Sequence, residues 1–296
     1  MLAVIIISIL AGLALFYLLV SVLIANGMAM TLRVPIEKTP ASLGLAYEDV
    51  SFSSRGDNIK LAGWYLPAGS KSTIIVTHGG KRNRADATTQ LLEMCGELAG
   101  QGFNILTFDR RGCGLSAASP RKSRAHFERD FGGAVDYIRS RSDTGEKVFL
   151  LGISIGAVAA IMFAYDEDGI SGIVADSCFV SIPEMVKRVI RRANITFSIF
   201  SPTALWAGEK LFGLPRENAI DRVGRVSCPV LFINGAEDYS VPAEDTHRLH
   251  QASDNPQDET WIAPGADHSQ AYLTSPAEYI GRVTGFFTGT LNHHPD

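Results

Sequence analysis

The stretch that decides the fold is Lys147–Ala164, which reads KVFLLGISIGAVAAIMFA. Its first apolar run, Val148–Leu151, has the length and composition of a strand that is buried on both faces of a parallel sheet. The apolar run that starts at Ala157 is too long for another such strand, and it predicts a buried helix. The letters GISIG of residues 152–156 lie between the two. A G-x-S-x-G motif therefore falls where a strand is followed by a helix.

This position makes the motif informative. A tight turn leaves no room for side chains at Gly152 and Gly156, and it holds Ser154 in a strained backbone with its hydroxyl exposed. The N–H of Ile155, at the start of the helix, has no intrahelical partner and can face a developing negative charge. The motif predicts that Ser154 is a nucleophile; the alternative is an ordinary glycine-rich turn.

Composition narrows the classes of function. The chain has 296 residues, which favours one large α/β domain with an appendage. A net charge of −4 gives no basic surface that would indicate a nucleic-acid partner. The histidines show no HExxH spacing, and the cysteines form no CxxC pair, so we expect free thiols and no metal site. The four cysteines are Cys95, Cys113, Cys178 and Cys228.

The N-terminus is long and uniformly apolar. Met1–Ala25 contains no charged side chain, and the first charge is that of Arg33. As a helix this segment spans roughly 37 Å, enough to cross a hydrocarbon core of about 30 Å. A cleaved signal peptide is the alternative, but no Lys or Arg precedes the run and the apolar core is about twice the usual length. We therefore predict a retained single-pass membrane anchor over residues 1–25. Arg33 and Lys38 follow it, which favours a cytoplasmic catalytic domain.

After a linker over residues 26–46, strand-like and helix-like segments alternate. Tyr47–Ser54 and Ile59–Leu66 flank a turn and predict an antiparallel hairpin. The further strand candidates are Thr73–Thr77, Phe103–Phe108, Val148–Leu151, Ile170–Ala175, Pro229–Ile233 and Glu259–Ile262. The alternation predicts an α/β fold, with a mostly parallel sheet and helices on both faces, in a domain over residues 47–291. Residues 292–296 are predicted to form a tail.

An insertion over residues 179–225 interrupts the alternation. It contains the basic, helix-like segment Glu184–Arg192 and then the aromatic, apolar segment Phe197–Phe212. The simplest interpretation is a small helical cap that packs its own apolar residues. Two sharper hypotheses remain open: the cap is a lid over a substrate pocket, or its cations face anionic lipid headgroups.

A serine hydroxyl needs a neighbouring base before it can attack a substrate. His268 follows the last strand candidate and Asp238 follows the preceding one, so both fall at the same sheet edge as Ser154. The chain order Ser154, Asp238, His268 is the order of α/β-hydrolase triads. Asp176, at the end of the strand after the serine, is a second candidate for the carboxylate. His78 is predicted to brace its loop rather than to act as the base.

The site also needs donors for a developing oxyanion. We expect these to be the N–H of Ile155 and a second N–H from the loop after Thr73–His78, for which Gly80 is the first candidate. Two adjacent glycines, Gly79 and Gly80, allow the backbone to approach the substrate closely.

These motifs together resemble the α/β-hydrolase superfamily over about Tyr47–Leu291. The motifs that carry the resemblance are HGG at 78–80, DRRGCGLS at 109–116, GISIG at 152–156, CPVL at 228–231, DYSVP at 238–242 and ADH at 266–268. The chain is most similar to membrane-anchored serine hydrolases of the monoacylglycerol-lipase-like, serine-aminopeptidase-like and acyl-thioesterase-like groups. The resemblance implies an eight-stranded sheet, no cofactor, and a nucleophile, acid and base at Ser154, Asp238 and His268.

The expected function is hydrolysis of a carboxylic ester or thioester, with lipid-derived molecules among the candidate substrates. A peptidase-like or amidase-like activity, a haloperoxidase-like activity and a catalytically silent, membrane-tethered binding protein remain alternatives. Two departures from the family pattern stand out. Lys81–Arg84 makes the oxyanion loop unusually basic, which leaves open a preference for negatively charged substrate groups, and Cys113 stands where an aromatic residue or histidine is common. The oligomeric state is not predicted.

Overall fold

The structure is a computed structural model, and it describes residues 1–123, 125–145, 147–193, 195–215 and 218–293. Residues 294–296 of the predicted tail lie outside the described residues. The strands are β1 Glu48–Ser53, β2 Lys60–Leu66, β3 Ser72–Thr77, β4 Asn104–Phe108, β5 Lys147–Ile153, β6 Ile170–Asp176, β7 Val230–Gly235 and β8 Glu259–Ala263. The α-helices are α1 Leu2–Ala29, α2 Leu91–Gly100, α3 Glu128–Ser140, α4 Ile155–Ala164, α5 Ile182–Ala193, α6 Ser201–Phe212, α7 Ala219–Arg222, α8 Ala243–Ser253, α9 Ala271–Thr274 and α10 Pro276–His293.

The predicted hairpin is confirmed. Strand β1 pairs antiparallel with β2, and Ser53 lies opposite Lys60 at the turn. Gly56 and Asn58 both adopt positive φ angles there, of 86° and 53°, which glycine and asparagine accept more readily than other residues. The hydroxyl of Ser54 accepts a hydrogen bond from the N–H of Ile59 at 2.8 Å and closes the turn.

All eight strands form one sheet in the order β1-β2-β4-β3-β5-β6-β7-β8. The pairs from β4 to β8 are parallel, so the predicted mostly parallel sheet is confirmed. The strand ends differ from the sequence prediction by at most two residues. Because parallel strands end at the same edge, the loops after β3, β4, β5, β6, β7 and β8 start on one rim of the sheet. This rim carries the motifs.

Helices cover the sheet and bury most of its inner strands. Every residue of β3, β4 and β7 is buried. On one face, Ile74 and Val76 join a core with residues of α2 and α10. In the same core the ring of Phe149 lies 4.4 Å from that of Phe287. A strand covered on both faces needs apolar side chains in both directions, which explains why the strands read as continuous apolar runs.

The chain divides into two compact units. The apolar unit consists of Met1–Met30, Pro120–His126 and Ile182–Arg216, and the sheet unit contains the remainder. Within the apolar unit, Ala25 and Ala29 of α1 pack in a buried cluster with Ala207 and Phe212 of α6. The hydroxyl of Tyr17 donates to the carbonyl of Ile199 at 3.0 Å. The predicted anchor thus packs on part of the insertion, a relation for which the sequence shows no signal.

The predicted insertion 179–225 is divided between the units. Its basic segment forms most of α5, and its aromatic segment forms a short 3-10 helix, Ile195–Phe200, followed by α6. Helix α7, by contrast, belongs to the sheet unit. The limits of the insertion and of the anchor stay predictions.

Candidate active site

The turn between β5 and α4 has the geometry of a nucleophile elbow. Ser154 lies between the last residue of β5 and the first of α4, with φ 55° and ψ −117°. A Cβ atom at Gly152 would overlap the carbonyl oxygen of Gly156, and one at Gly156 would lie 2.9 Å from the carbonyl oxygen of Thr77. Only glycine fits at either position without moving backbone. The strained φ of the serine is held because the N–H of Ser154 donates to the carbonyl of Asp176 at 2.8 Å.

Two loops bring a histidine and a carboxylate to this serine. The Nε2 atom of His268 lies 3.0 Å from the Oγ of Ser154, and its Nδ1 atom lies 2.7 Å from Oδ2 of Asp238. Asp238 is only 5% exposed, and its Oδ1 accepts the N–H groups of Ser240 and Val241. The carboxylate is therefore fixed on one oxygen by the backbone and offers the other to the imidazole. Such a pair favours the tautomer with the proton on Nδ1, which leaves Nε2 free to accept the serine proton.

The loops that carry Asp238 and His268 are joined directly. The N–H of Glu237 donates to the carbonyl of Ala266 at 2.9 Å. A Cβ atom at Gly235 would overlap that same carbonyl oxygen. Gly235, which the sequence analysis did not single out, thus permits the close approach of the two loops. The visible signal was a glycine at the end of a buried strand.

Asp176, the second candidate for the carboxylate, points to other partners. Its side chain accepts hydrogen bonds from the hydroxyls of Ser177 at 2.9 Å and Tyr279 at 3.1 Å. The hydroxyl of Ser177 in turn accepts the N–H of Ser269, the residue after His268, at 2.9 Å. Asp176 is 2% exposed, and its burial raises the pKa of its carboxyl to about 6. Through Ser177, these contacts hold the loop that carries His268 in place. Ser177 and Tyr279 are further residues that the sequence analysis missed.

The loop after β3 lies against the elbow. A Cβ atom at Gly79 would lie 3.7 Å from the Cβ of Ser154, and one at Gly80 would lie 3.8 Å from Cγ2 of Ile155. His78 is fully buried beneath this loop, and its ring nitrogens bond backbone groups. The structure therefore places Gly80 next to Ile155, the two residues that are expected to donate to an oxyanion.

The basic loop at 81–84 has fewer exposed cations than its sequence suggests. Arg84 is buried: its guanidinium donates to Oδ2 of Asp109 at 2.8 Å and lies 4.1 Å above the ring of Trp64. Asp109 also accepts the N–H of Leu115, and a Cβ atom at Gly114 would overlap its carboxylate. Arg84 and Asp109 therefore latch two loops together, and the exposed cations of the segment are Lys81 and Arg82.

Among the described residues, no cluster of three or more His, Cys, Asp or Glu side chains has the spacing of a metal site. All four cysteines are buried and free of disulfides. Burial raises the pKa of Cys95 and that of Cys228 to about 12, so neither thiol is a nucleophile at neutral pH.

Comparison with known proteins adds independent findings. The family model described as "Serine aminopeptidase, S33" matches residues 68–219, just over half of the chain. YfhR of Escherichia coli (strain K12) is 27% identical over 255 residues, which cover 83% of this chain and 82% of YfhR. The α/β-hydrolase domain-containing protein WAV2 of Arabidopsis thaliana is 26% identical over 258 residues, 81% of this chain and 78% of WAV2. The esterase Pf2001 of Pyrococcus furiosus superposes with a TM-score of 0.74 at 25% identity, covering 87% of this chain and 96% of the esterase.

Proposed function

This chain belongs to the serine aminopeptidase S33 family of α/β-hydrolases, and from this premise we propose that it is a serine hydrolase that cleaves a carboxylic ester or thioester. The family and the likeness to the Pyrococcus furiosus esterase support a hydrolase of the esterase type. The observation that carries the finer proposal is the continuous series of hydrogen bonds Ser154–His268–Asp238, at 3.0 Å and 2.7 Å.

The proposed first half-reaction forms an acyl-enzyme. The Oγ of Ser154 bonds to the substrate carbonyl carbon while its proton passes to Nε2 of His268. Asp238 holds the imidazole in place and stabilises its positive charge. The N–H groups of Ile155 and Gly80 donate to the oxyanion. The carbonyl then re-forms, and the bond between its carbon and the leaving oxygen or sulfur breaks. His268 gives its proton to that atom, so that an alcohol or thiol leaves.

In the second half-reaction a water molecule replaces the leaving group. His268 takes a proton from the water, whose oxygen attacks the acyl carbon. The tetrahedral intermediate collapses, the proton returns to the Oγ of Ser154, and the carboxylic acid leaves. An amide or peptide passes through the same steps, with an amine as the leaving group. The family description favours this second candidate activity, so amides belong in the same substrate screen.

The test combines a covalent probe with a substrate series. Fluorophosphonate labelling of the purified full chain is expected to disappear in Ser154→Ala and to persist in Ser253→Ala, which removes a buried serine hydroxyl at the end of α8. Hydrolysis of p-nitrophenyl esters of graded chain length, with and without detergent micelles, is compared with that of p-nitroanilides. Labelling that persists in Ser154→Ala would remove the serine from its proposed role.

We also propose that α1 is a retained membrane anchor and that the catalytic domain is cytoplasmic. By length and hydropathy α1 fits either a membrane span or a signal sequence. Its contacts favour retention, because cleavage would remove the partner of the buried residues Ala207 and Phe212 in α6. Arg33 and Lys38 follow α1, and cytoplasmic flanks are enriched in such cations.

The depth of the insertion in the membrane follows from the length of α1. Residues 2–16 are all exposed, and at 1.5 Å per residue they cover roughly 22 Å. A membrane span needs about 20 residues to cross about 30 Å. The remaining length comes from the part of α1 after Tyr17, which packs along α6. The part of the insertion that packs on α1 therefore enters the bilayer leaflet at the C-terminal end of α1. There the exposed side chains of Ile199 and Trp206 meet apolar surroundings. A substrate drawn from the lipid phase fits this arrangement; the lid role of the insertion stays a prediction.

A further inference from the structure

The carbonyl group of Gly79 accepts two hydrogen bonds from buried side chains. The Nη2 group of Arg110 donates to its oxygen at 2.6 Å. The Nδ1 atom of His78 lies 2.8 Å from the same oxygen. Both donors come from the interior of the sheet unit, since Arg110 is 2% exposed and His78 is fully buried.

The role of each His78 nitrogen follows from its surroundings. Nε2 accepts the backbone N–H of Arg110 at 3.1 Å, so it carries the lone pair. Burial, followed by the charge of Arg110, holds the pKa of His78 well below its usual range, and the ring is neutral. The single ring proton is therefore on Nδ1, and Nδ1–H donates to the carbonyl of Gly79. Both ring nitrogens of His78 are therefore engaged with backbone groups.

A trans peptide is planar, and its C=O and N–H groups point in opposite directions. No cis peptide bond occurs among the described residues, so the carbonyl of Gly79 and the N–H of Gly80 belong to one such plane. We propose that Arg110 and His78 are positioning residues that grip the carbonyl of Gly79 and thereby aim the N–H of Gly80 at the oxyanion. The inference rests on the proposed function, in which Gly80 donates to that oxygen.

A loop of two adjacent glycines needs such a grip. Glycine readily rotates about φ and ψ, so this peptide would otherwise sample several orientations. An oxyanion donor is effective only when it is fixed before the negative charge develops. A cationic donor on the carbonyl also polarises the peptide and strengthens the hydrogen bond that its N–H group donates.

The surroundings of Arg110 support a role beyond folding. Its guanidinium has no carboxylate within ion-pair distance among the described residues, unlike its neighbour Arg111, which pairs with Asp130 at 2.8 Å. Besides Gly79, it lies 4.4 Å from the centre of the Phe127 ring, and its Nε has no hydrogen-bond partner among the described residues. Burying a cation without a counter-ion costs free energy that an apolar side chain would not cost. Ionisable groups that burial perturbs cluster at functional sites, and Arg110 bonds the loop that carries Gly80.

The experiment compares Arg110→Met with Arg111→Met in the full chain. Arg111 is a fully buried arginine that pairs with Asp130 and Asp57 instead of bonding Gly79, so its replacement controls for general loss of stability. Active sites are counted by titration, and kcat and KM are measured for a p-nitrophenyl ester. The inhibition constant of a trifluoromethyl ketone, which forms a tetrahedral adduct with the serine, is measured in parallel.

For Arg110→Met we expect kcat per active site to fall about 10- to 100-fold with KM nearly unchanged. Complete loss of one oxyanion donor costs about 10²- to 10³-fold in kcat, and a misaimed donor keeps part of its interaction. The affinity for the trifluoromethyl ketone should fall by the same factor. Arg111→Met should keep both values per active site within about threefold. Equal ratios of inhibitor affinity to KM in Arg110→Met and the parent would overturn the proposal.

Arg110→Lys keeps the buried charge but loses the planar donor, so it tests the proposal if the methionine variant does not fold. We expect about a tenfold loss in kcat and in inhibitor affinity, and an unchanged ratio would again overturn the proposal. A failure of the proposed function would look different from a failure of this proposal. If the proposed function is wrong, Ser154→Ala keeps its activity, whatever the Arg110 variants do.

Discussion

The two units of the molecule differ in how many large apolar side chains they expose. In the sheet unit, the large apolar side chains that are exposed among the described residues are Leu32, Leu43, Leu115, Tyr239 and Leu273. In the apolar unit, by contrast, residues 2–16 of α1 are all exposed and nearly all apolar, and the insertion adds Val189, Phe197, Ile199, Trp206 and Leu211. A surface of this size is costly in water but stable in a hydrocarbon phase.

The buried arginines of the sheet unit and the exposed cations of α5 differ in the same way. In the sheet unit, Arg111 is fully buried between Asp130 and Asp57, and Arg84 is buried against Asp109. On α5 of the apolar unit, Lys187 and Arg191 are exposed. Buried cations need fixed partners, and they hold loops in one geometry; exposed cations are free to meet water or anionic headgroups. The buried ion pairs of the sheet unit fix the geometry of its loops, whereas the exposed surface of the apolar unit suits contact with a membrane. Substitutions in the apolar unit should therefore leave catalysis unchanged, and substitutions in the sheet unit should leave membrane association unchanged.

The largest expected effect lies in the sheet unit. Asp238→Asn should lower kcat about 10⁴-fold, because the amide no longer holds the imidazole in the required tautomer. Asp176→Asn, whose carboxylate bonds Ser177 and Tyr279, should lower kcat less than about tenfold. Both variants are assayed on a soluble p-nitrophenyl ester, and both should stay in the membrane fraction. A deeper loss of kcat in Asp176→Asn would show that the acid is assigned to the wrong residue.

A second effect of the sheet unit is a dependence of stability on pH. The pKa of Asp176 is raised to about 6 from 3.8, so between these values the folded chain keeps a proton that the unfolded chain has lost. The free energy of unfolding should therefore fall as the pH rises from about 4 to about 6, by about 3 kcal/mol from this group.

Asp176→Asn removes this titration. The difference in the free energy of unfolding between Asp176→Asn and the parent, measured with urea in detergent, should shift in favour of the variant by about 3 kcal/mol over that pH range. Trp206→Phe, in the apolar unit, should give a pH-independent difference. A constant difference for Asp176→Asn as well would contradict the buried, proton-binding state of this carboxyl.

The smallest effect is expected in the apolar unit and is spectroscopic. Trp206 is 58% exposed, whereas Trp64 and Trp261 are buried in the sheet unit. In vesicles that contain the full chain, lipids brominated near the headgroup should quench part of the tryptophan emission. Trp206→Phe should abolish this quenching and leave hydrolysis of the soluble ester unchanged. Equal quenching in the parent and in Trp206→Phe would break the proposed membrane contact of the insertion.

Much of the site follows from local patterns. Val148–Leu151 and the GISIG letters after it predict the strand, the elbow and the helix, because a buried strand and a glycine-limited turn each constrain adjacent residues. The positions of Asp238 and His268 after successive strands also predict that they share one rim. Nothing local distinguishes Arg110 from Arg111, however. One arginine grips a carbonyl and the other pairs with two carboxylates, and their partners lie far away in the sequence.

The sequence by itself determined the order of strands and helices, the glycines of the elbow and the apolar character of α1, since all of these depend on the spacing of neighbouring residue types. The tertiary structure alone decided which carboxylate meets His268, which arginine reaches Gly79, and that α1 packs on α6. Each of these is a contact between residues distant in the chain. The contacts of His268 and Gly79 depend on the paths that the loops take from the edge of the sheet, and these paths are not encoded by neighbouring residues. The contact of α1 is hidden because a uniformly apolar helix has no periodicity to mark the face that is buried.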